Sequence, residues 1–333
     1  MIKKILASIA FTALLLTSLD GFAQDPTFSQ FYANPLYLNP ALAGGNICPR
    51  VILNYRNQWP SISKGYVTYN ASYDQYFEKL HGGVGLLINA DNAGGGILNT
   101  VSASLMYAYR LQAGKFFNMN MALQASFYQR SLGWEKLQFE DQIDDQLGFV
   151  NPTGEQPPDN TSVVYPDFAA GVTFDYKNKL YGGLAVHHLI EPNIAFYNSK
   201  ESVLPRKITV DLGYNLDLGG DGGDWGDELS NFYLSFNGLY QQQGSFHQLN
   251  AGMYLNKYPL VIGAWFRHNF ENPDAIIALV GLQFEKIKVG YSYDISMSKL
   301  QGNSGGAHEI SFAWQLNCFE KRRRIKAIKS PGF

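Results

Sequence analysis

The stretch Phe168-Ala169-Ala170-Gly171-Val172-Thr173-Phe174-Asp175-Tyr176 decides the fold. Phe168, Ala170, Val172, Phe174 and Tyr176 fall on one face, and Ala169, Gly171, Thr173 and Asp175 on the other. A period of two is the signature of a strand. The same alternation runs through 117–128, where Phe117, Met119, Met121, Leu123 and Phe127 oppose Asn118, Asn120, Gln124 and Ser126. It returns at 208–217, where Ile208, Val210, Leu212, Tyr214 and Leu216 oppose Thr209, Asp211, Gly213, Asn215 and Asp217. Each stretch is about ten residues long, the length a tilted strand needs to cross a bilayer. Soluble sandwiches alternate too, so the choice between water and lipid rests on other features.

The N-terminus is the first of these. Lys3 and Lys4 precede an apolar run at 5–16 and then Gly21-Phe22-Ala23, the pattern of a cleaved secretory signal peptide. Cleavage is expected after Ala23, so residues 1–23 are lost and the mature chain leaves the cytoplasm. Composition is the second. Aromatic residues make up 14% of the chain and charged residues only 16%, against about 25% charged in soluble domains. Mean hydropathy is −0.17, and no mature segment reads as a spanning helix. A membrane protein of that kind is a closed sheet, because only helices and closed barrels satisfy every backbone group in lipid.

Alternation predicts strands near 50–58, 65–75, 82–90, 97–109, 115–129, 163–176 and 180–188, and near 205–218, 229–241, 245–256, 259–268, 275–285, 288–296 and 307–319. The count is about fourteen, an even number as in single-chain bacterial barrels. With the N-terminus in the periplasm, the long connections 130–162, 189–204 and 297–306 fall outside. The tight turns 177–179 and 286–287 fall inside, and 219–228 is long for an inner turn. The expected architecture is all-β: a single-domain antiparallel transmembrane β-barrel at 48–319 in the outer membrane of a Gram-negative cell. A plug or periplasmic segment at 24–47 precedes it, and a basic periplasmic tail at 320–333 follows. Cys48 and Cys318 precede the first strand and end the last. In a closed barrel these strands are neighbours, which permits a disulfide at the seam in an oxidising compartment. Two buried free thiols are the alternative.

Residues 24–45 carry two Asn-Pro pairs and no alternation. Phe28, Phe31, Tyr32, Leu36 and Tyr37 are too apolar to stay solvated together, so the segment is read as folding into or under the barrel. The 130–162 connection interleaves Trp134, Phe139, Leu147 and Phe149 with Glu135, Glu140, Asp141, Asp144, Asp145, Glu155 and Asp159. On an outer loop that mixture suits a partner surface, with Trp134, Glu140, Asp141, Asp144, Asp145 and Phe149 as contacts, a solvated flexible loop being the alternative; the spacing is not that of a calcium-binding EF-hand. Gly219-Gly220-Asp221-Gly222-Gly223-Asp224 is a flexible turn, since calcium-binding nonapeptides work by stacking. The tail Lys321-Arg322-Arg323-Arg324-Ile325-Lys326 suits anionic headgroups or an acidic partner. A formal net charge of −2 on a secreted barrel leaves nucleic acid out. No H-E-x-x-H or paired-Cys motif occurs, and no enzyme, cofactor, metal or small-molecule substrate is expected. Of the histidines, His187 and His188 are adjacent; strand geometry points them to opposite faces, with His188 a rim residue.

The mature chain opens Gln24-Asp25-Pro26-Thr27-Phe28-Ser29-Gln30-Phe31-Tyr32, then Asn34-Pro35-Leu36-Tyr37-Leu38-Asn39-Pro40-Ala41, and continues with Tyr55-Arg56-Asn57-Gln58-Trp59-Pro60. Further strings are Ser72-Tyr73-Asp74-Gln75, Gly82-Gly83-Val84-Gly85, Asp91-Asn92-Ala93-Gly94, Pro166-Asp167, His188-Leu189 and His308-Glu309-Ile310. Together these resemble the PorP/SprF family of the type IX secretion system in Bacteroidetes. The resemblance implies a non-enzymatic outer-membrane protein serving secretion or gliding motility. Its partners would be membrane lipid, a secreted adhesin or other protein with a C-terminal sorting domain, and the periplasmic ring of the machinery. The contrasting expectation is a channel or transporter for small hydrophobic or polar solutes.

Overall fold

A computed structural model describes residues 24–46, 48–62, 64–114, 116–144, 146–219, 232–270, 272–297 and 304–318. The expected signal peptide, the basic tail, the glycine-rich turn beyond Gly219, and Asp145 lie outside these residues. Sixteen strands are seen: β1 (Arg50–Gln58), β2 (Tyr66–Phe77), β3 (Gly82–Ala93), β4 (Leu98–Ala113), β5 (Phe117–Leu132), β6 (Ile143–Asp144), β7 (Gly148–Phe149), β8 (Ser162–Tyr176), β9 (Leu180–His187), β10 (Lys207–Asp217), β11 (Phe232–Gln243), β12 (Phe246–Lys257), β13 (Leu260–His268), β14 (Pro273–Gln283), β15 (Ile287–Ser296) and β16 (Ala307–Gln315). All but β6 and β7 form one closed barrel of fourteen antiparallel strands. Each strand pairs with its sequence neighbours, and β1 closes on β16 with Arg50 opposite Gln315.

The alternation sorts side chains as a membrane demands. Outward Leu105, Leu123, Phe127 and Val164 are among the most exposed apolar residues, and inward Asn120, Ser126, Asp175 and Asn250 are buried. Outward apolar groups against polar inner ones characterise a transmembrane barrel. The last strand ends at Gln315, opposite Arg50 where its partner β1 begins, and before the expected Phe319.

Turns at 78–81, 177–179 and 258–259 share one rim. In the second of these, Lys177 and Asn178 take positive φ (56° and 55°), the twist that tight hairpins favour. At the same rim Cys48 and Cys318 are joined in a disulfide, with Cα atoms 4.7 Å apart. Long connections at 133–161 and 188–206 crown the opposite rim. The first was expected to be an outer loop, and it lies at that rim. It holds two short 3₁₀ turns and the β6–β7 hairpin.

Candidate functional site

The lumen is not empty. Residues 25–46 run through it from the long-loop rim to the short-turn rim. Each Asn-Pro pair starts a helical turn, Pro35–Leu38 and Pro40–Leu42. Proline suits the first position of such a turn, where its missing N–H costs nothing. The Asn39 side chain caps the second turn by accepting from the Ala41 N–H at 2.9 Å. Its amide then donates to the Val172 carbonyl on β8 at 3.2 Å.

Two apolar walls receive this segment. Phe31, Tyr32, Leu38 and Leu42 pack on inward Leu239, Tyr254, Val261, Trp265, Ile277 and Leu279 of β11–β14. Phe31 meets the Trp265 ring edge-on at 5.3 Å. Leu36, Ala41 and Ala43 pack on Leu87, Met106, Ala108 and Ala122 of β3–β5, with Tyr37 half-buried beside them. Phe28, Phe31, Tyr32 and Leu36 are all buried. Asn34 and Pro35 are buried with them.

Charge clamps the segment at its middle. The Ser29 and Gln30 N–H groups donate to the two carboxylate oxygens of Glu309 at 2.7 and 3.1 Å. The Ser29 hydroxyl donates to Asp294 at 2.6 Å and accepts from Arg56 and Arg267 at 2.6 and 2.7 Å. Both guanidiniums reach Asp294 at 3.0 Å, and Arg56 also reaches Glu309 at 3.3 Å. Two buried cations thus face two buried anions, the condition under which buried charge is tolerated.

A second clamp holds the outer end. Asp25 accepts from His188 Nε2 at 3.0 Å and lies 3.4 Å from Lys207 Nζ, while His188 Nδ1 bonds Asp167 at 2.8 Å. A ring nitrogen on each of two carboxylates is the pattern of an imidazolium, in which both nitrogens donate. Burial pulls the His188 pKa down, but the Asp25 charge and hydrogen bonds to Asp167 and Asp25 outweigh it and push it up to about 9. Burial raises the Asp25 carboxyl, but His188 and Lys207 hold it well below the usual carboxylate range. His188 thus stands where β9 gives way to the long-loop rim, hydrogen-bonded through both ring nitrogens, with its side chain turned into the lumen. Its φ of 56° takes it out of the strand, so both His187 and His188 are buried rather than pointing to opposite faces.

At the inner end Gly44 N–H donates to Asp74 at 2.9 Å, and Arg50 pairs with the same carboxylate through two bonds. Gly44 has φ 63°, and its backbone lies where a side chain on Gly83 would go.

The acidic loop is only partly free for a partner. Asp141 accepts from Thr153 and Gly154, and Asp144 from the Gln146 and Leu147 N–H groups. Trp134 packs on Phe139 at 4.9 Å. Leu147, Phe149 and Val150 form an exposed apolar tip, with Glu140 also exposed. Among the described residues no group of three or more His, Cys, Asp or Glu is placed to hold a metal ion.

Sequence reading missed the charge network and the two apolar walls. The walls did leave a signal: 260–266 and 275–282 are almost unbroken apolar runs, as befits strands covered on both faces.

The model of the family described as type IX secretion system membrane protein PorP/SprF matches residues 20–314. The chain belongs to this family. It is a membrane protein of the type IX secretion system. No curated protein sequence is similar enough to count as a relative. Many solved structures are similar, among them three outer-membrane or channel proteins. The outer membrane protein Omp33 of Acinetobacter baumannii is 8% identical, over 81% of this chain and 99% of that one, with TM-score 0.42. A FadL homologue of Pseudomonas aeruginosa is 12% identical, over 89% and 99%, with TM-score 0.43. The CymD monoaromatic hydrocarbon channel is 10% identical, over 85% and 93%, with TM-score 0.47.

Proposed function

We propose that this PorP/SprF member is a non-enzymatic docking component of the outer membrane. It holds a secreted protein by its C-terminal sorting domain on the long-loop rim and meets the periplasmic ring of the machinery at the opposite rim. The observation that carries this reading is the filled lumen. The chain's own residues 25–46 occupy it, seated on two apolar walls and fixed by buried charge. What such a barrel offers a partner is a rigid rim. The long-loop rim carries the apolar tip at Leu147, Phe149 and Val150 beside Glu140. The signal peptide supports export, and the disulfide suits an oxidising compartment.

The test is capture from native membranes. The wild-type barrel, purified after mild cross-linking, is expected to bring down a sorting-domain protein. A barrel lacking 140–156 loses that protein while keeping its thermal stability. Steady ion conductance of the wild-type protein in planar bilayers, with no sorting-domain protein captured, would overturn the reading in favour of a solute channel.

A further inference from the structure

Between the luminal segment and the long-loop rim lies a cavity of about 520 Å³, within the size range of small-molecule sites. Asp25, Pro26, Thr27 and Tyr37 line it from the luminal segment. One wall is a register row. Asp91 of β3 faces Thr100 of β4, and Thr100 faces Arg130 of β5. All three line the cavity. In the row beneath, Asn89, Ser102 and Tyr128 line it too.

The other charges of the cavity are matched. Asp274 lies 3.6 Å from Arg267, and Asp25 is held by Lys207 and His188. Asp91 and Arg130 differ. Among the described residues neither has an ion-pair partner. Asp91 accepts a hydrogen bond from Thr68 at 2.6 Å, and the Arg130 guanidinium lies over the Phe196 ring at 6.0 Å. Two inter-strand spacings separate their Cα atoms by about 10 Å. The cavity therefore holds an acid and a base on one row, spaced for a ligand that carries both charges.

We propose that this cavity binds a short zwitterionic peptide, its carboxylate on Arg130 and its ammonium on Asp91. An extended chain spans at most about 3.3–3.6 Å per residue, so two or three residues bridge the gap. A guanidinium receives a carboxylate through two parallel bonds. Thr100, Ser102 and Asn89 offer hydrogen bonds to the peptide groups between. A free oligopeptide and an internal protein segment with basic and acidic side chains share this chemistry; the site is assigned to the free peptide. The proposal does not depend on the docking reading.

Calorimetry on the full-length barrel in detergent micelles tests it, with trialanine as probe. Trialanine is expected to bind saturably, and N-acetylation or C-amidation to weaken it about tenfold or more. Arg130→Gln is expected to remove only the penalty for amidation, and Asp91→Asn only that for acetylation. Three results would overturn the proposal: no saturable binding up to about 10 mM, capped peptides that bind as well as trialanine, or variants that weaken all three ligands alike. Tighter binding of acetyl-Lys-Ala-Glu-amide than of trialanine would reassign the site to a protein segment and overturn it too. Should the variants fail to fold, the capped series on the wild-type protein decides.

Discussion

Replacing Glu309 by Ala asks whether the luminal segment is held by charge or only by filling space. Arg56 and Arg267 face Asp294 and Glu309 in a buried cluster. Without Glu309, two guanidiniums share the Asp294 carboxylate, and Asp274, half-exposed, offers Arg267 only a 3.6 Å contact. The Ser29 and Gln30 N–H groups also lose their acceptor. Removing one partner of a buried pair costs about 3–5 kcal/mol. At about 1.4 kcal/mol per tenfold, that is roughly two to three and a half powers of ten in the local opening equilibrium. Hydrogen exchange followed by mass spectrometry reads this directly. Peptides covering 27–36 are expected to exchange faster by that factor, and peptides from β4 and β5 to keep their protection. Glu309→Gln should recover part of the loss, because its amide oxygen still accepts. Unchanged exchange at 27–36 would refute the clamp. Equal acceleration in every strand would show that Glu309 supports the barrel and not the segment.

Three further outcomes are expected. The disulfide spans a sequence separation of 270, so Cys48→Ser should lower thermal stability by about 2–5 kcal/mol. Its circular dichroism should stay that of a closed barrel, because the β1–β16 ladder does not depend on the bond. At the outer clamp, His188 contributes stability that is full below about pH 6.5 and fades as pH rises through about 9. Asp25, held low, contributes stability that is present above about pH 4 and lost as pH falls further. Protection at 24–28 should therefore fall on the alkaline side by on the order of 3 kcal/mol, and His188→Asn should abolish that dependence. Gly83→Val would place a side chain where the Ala43–Gly44 backbone lies. Overpacking of that kind costs about 1–3 kcal/mol, read as a lower midpoint of thermal unfolding with faster exchange at 41–46.

The barrel was legible because one rule produces all of it. A wall between lipid and a polar interior forces a period of two, and that period marks every barrel strand to within a few residues. What fills the barrel follows other rules. Glu309 meets Ser29 across 280 positions of sequence, and no local pattern announces such a pairing. His187 and His188 do not point to opposite faces, because a single left-handed residue breaks the alternation that was used to orient them. The apolar walls were visible as strands but not as walls. In β13, Leu260, Ile262 and Phe266 face outward while Val261 and Trp265 are buried. An apolar run here means lipid on one side and the luminal segment on the other. The Phe31, Tyr32, Leu38 and Leu42 side chains that fill the space lie more than two hundred residues away in sequence.

The strings that carried the family resemblance now have a physical reading. A barrel requires alternation, not Tyr-Arg-x-Gln-Trp or His-Glu-Ile. Yet Arg56 binds Ser29, Asp74 binds Gly44, and Gly83 makes room for Ala43. Asp167 orients the His188 that holds Asp25, and Glu309 accepts from Ser29 and Gln30. Five separate stretches of barrel converge on one N-terminal segment. These contacts fix the chain's own residues inside the lumen. On the docking reading proposed above, that investment keeps the barrel rigid while a partner bears on its rim. The conductance measurement set out above distinguishes it from a pore, whose passage those same contacts would narrow.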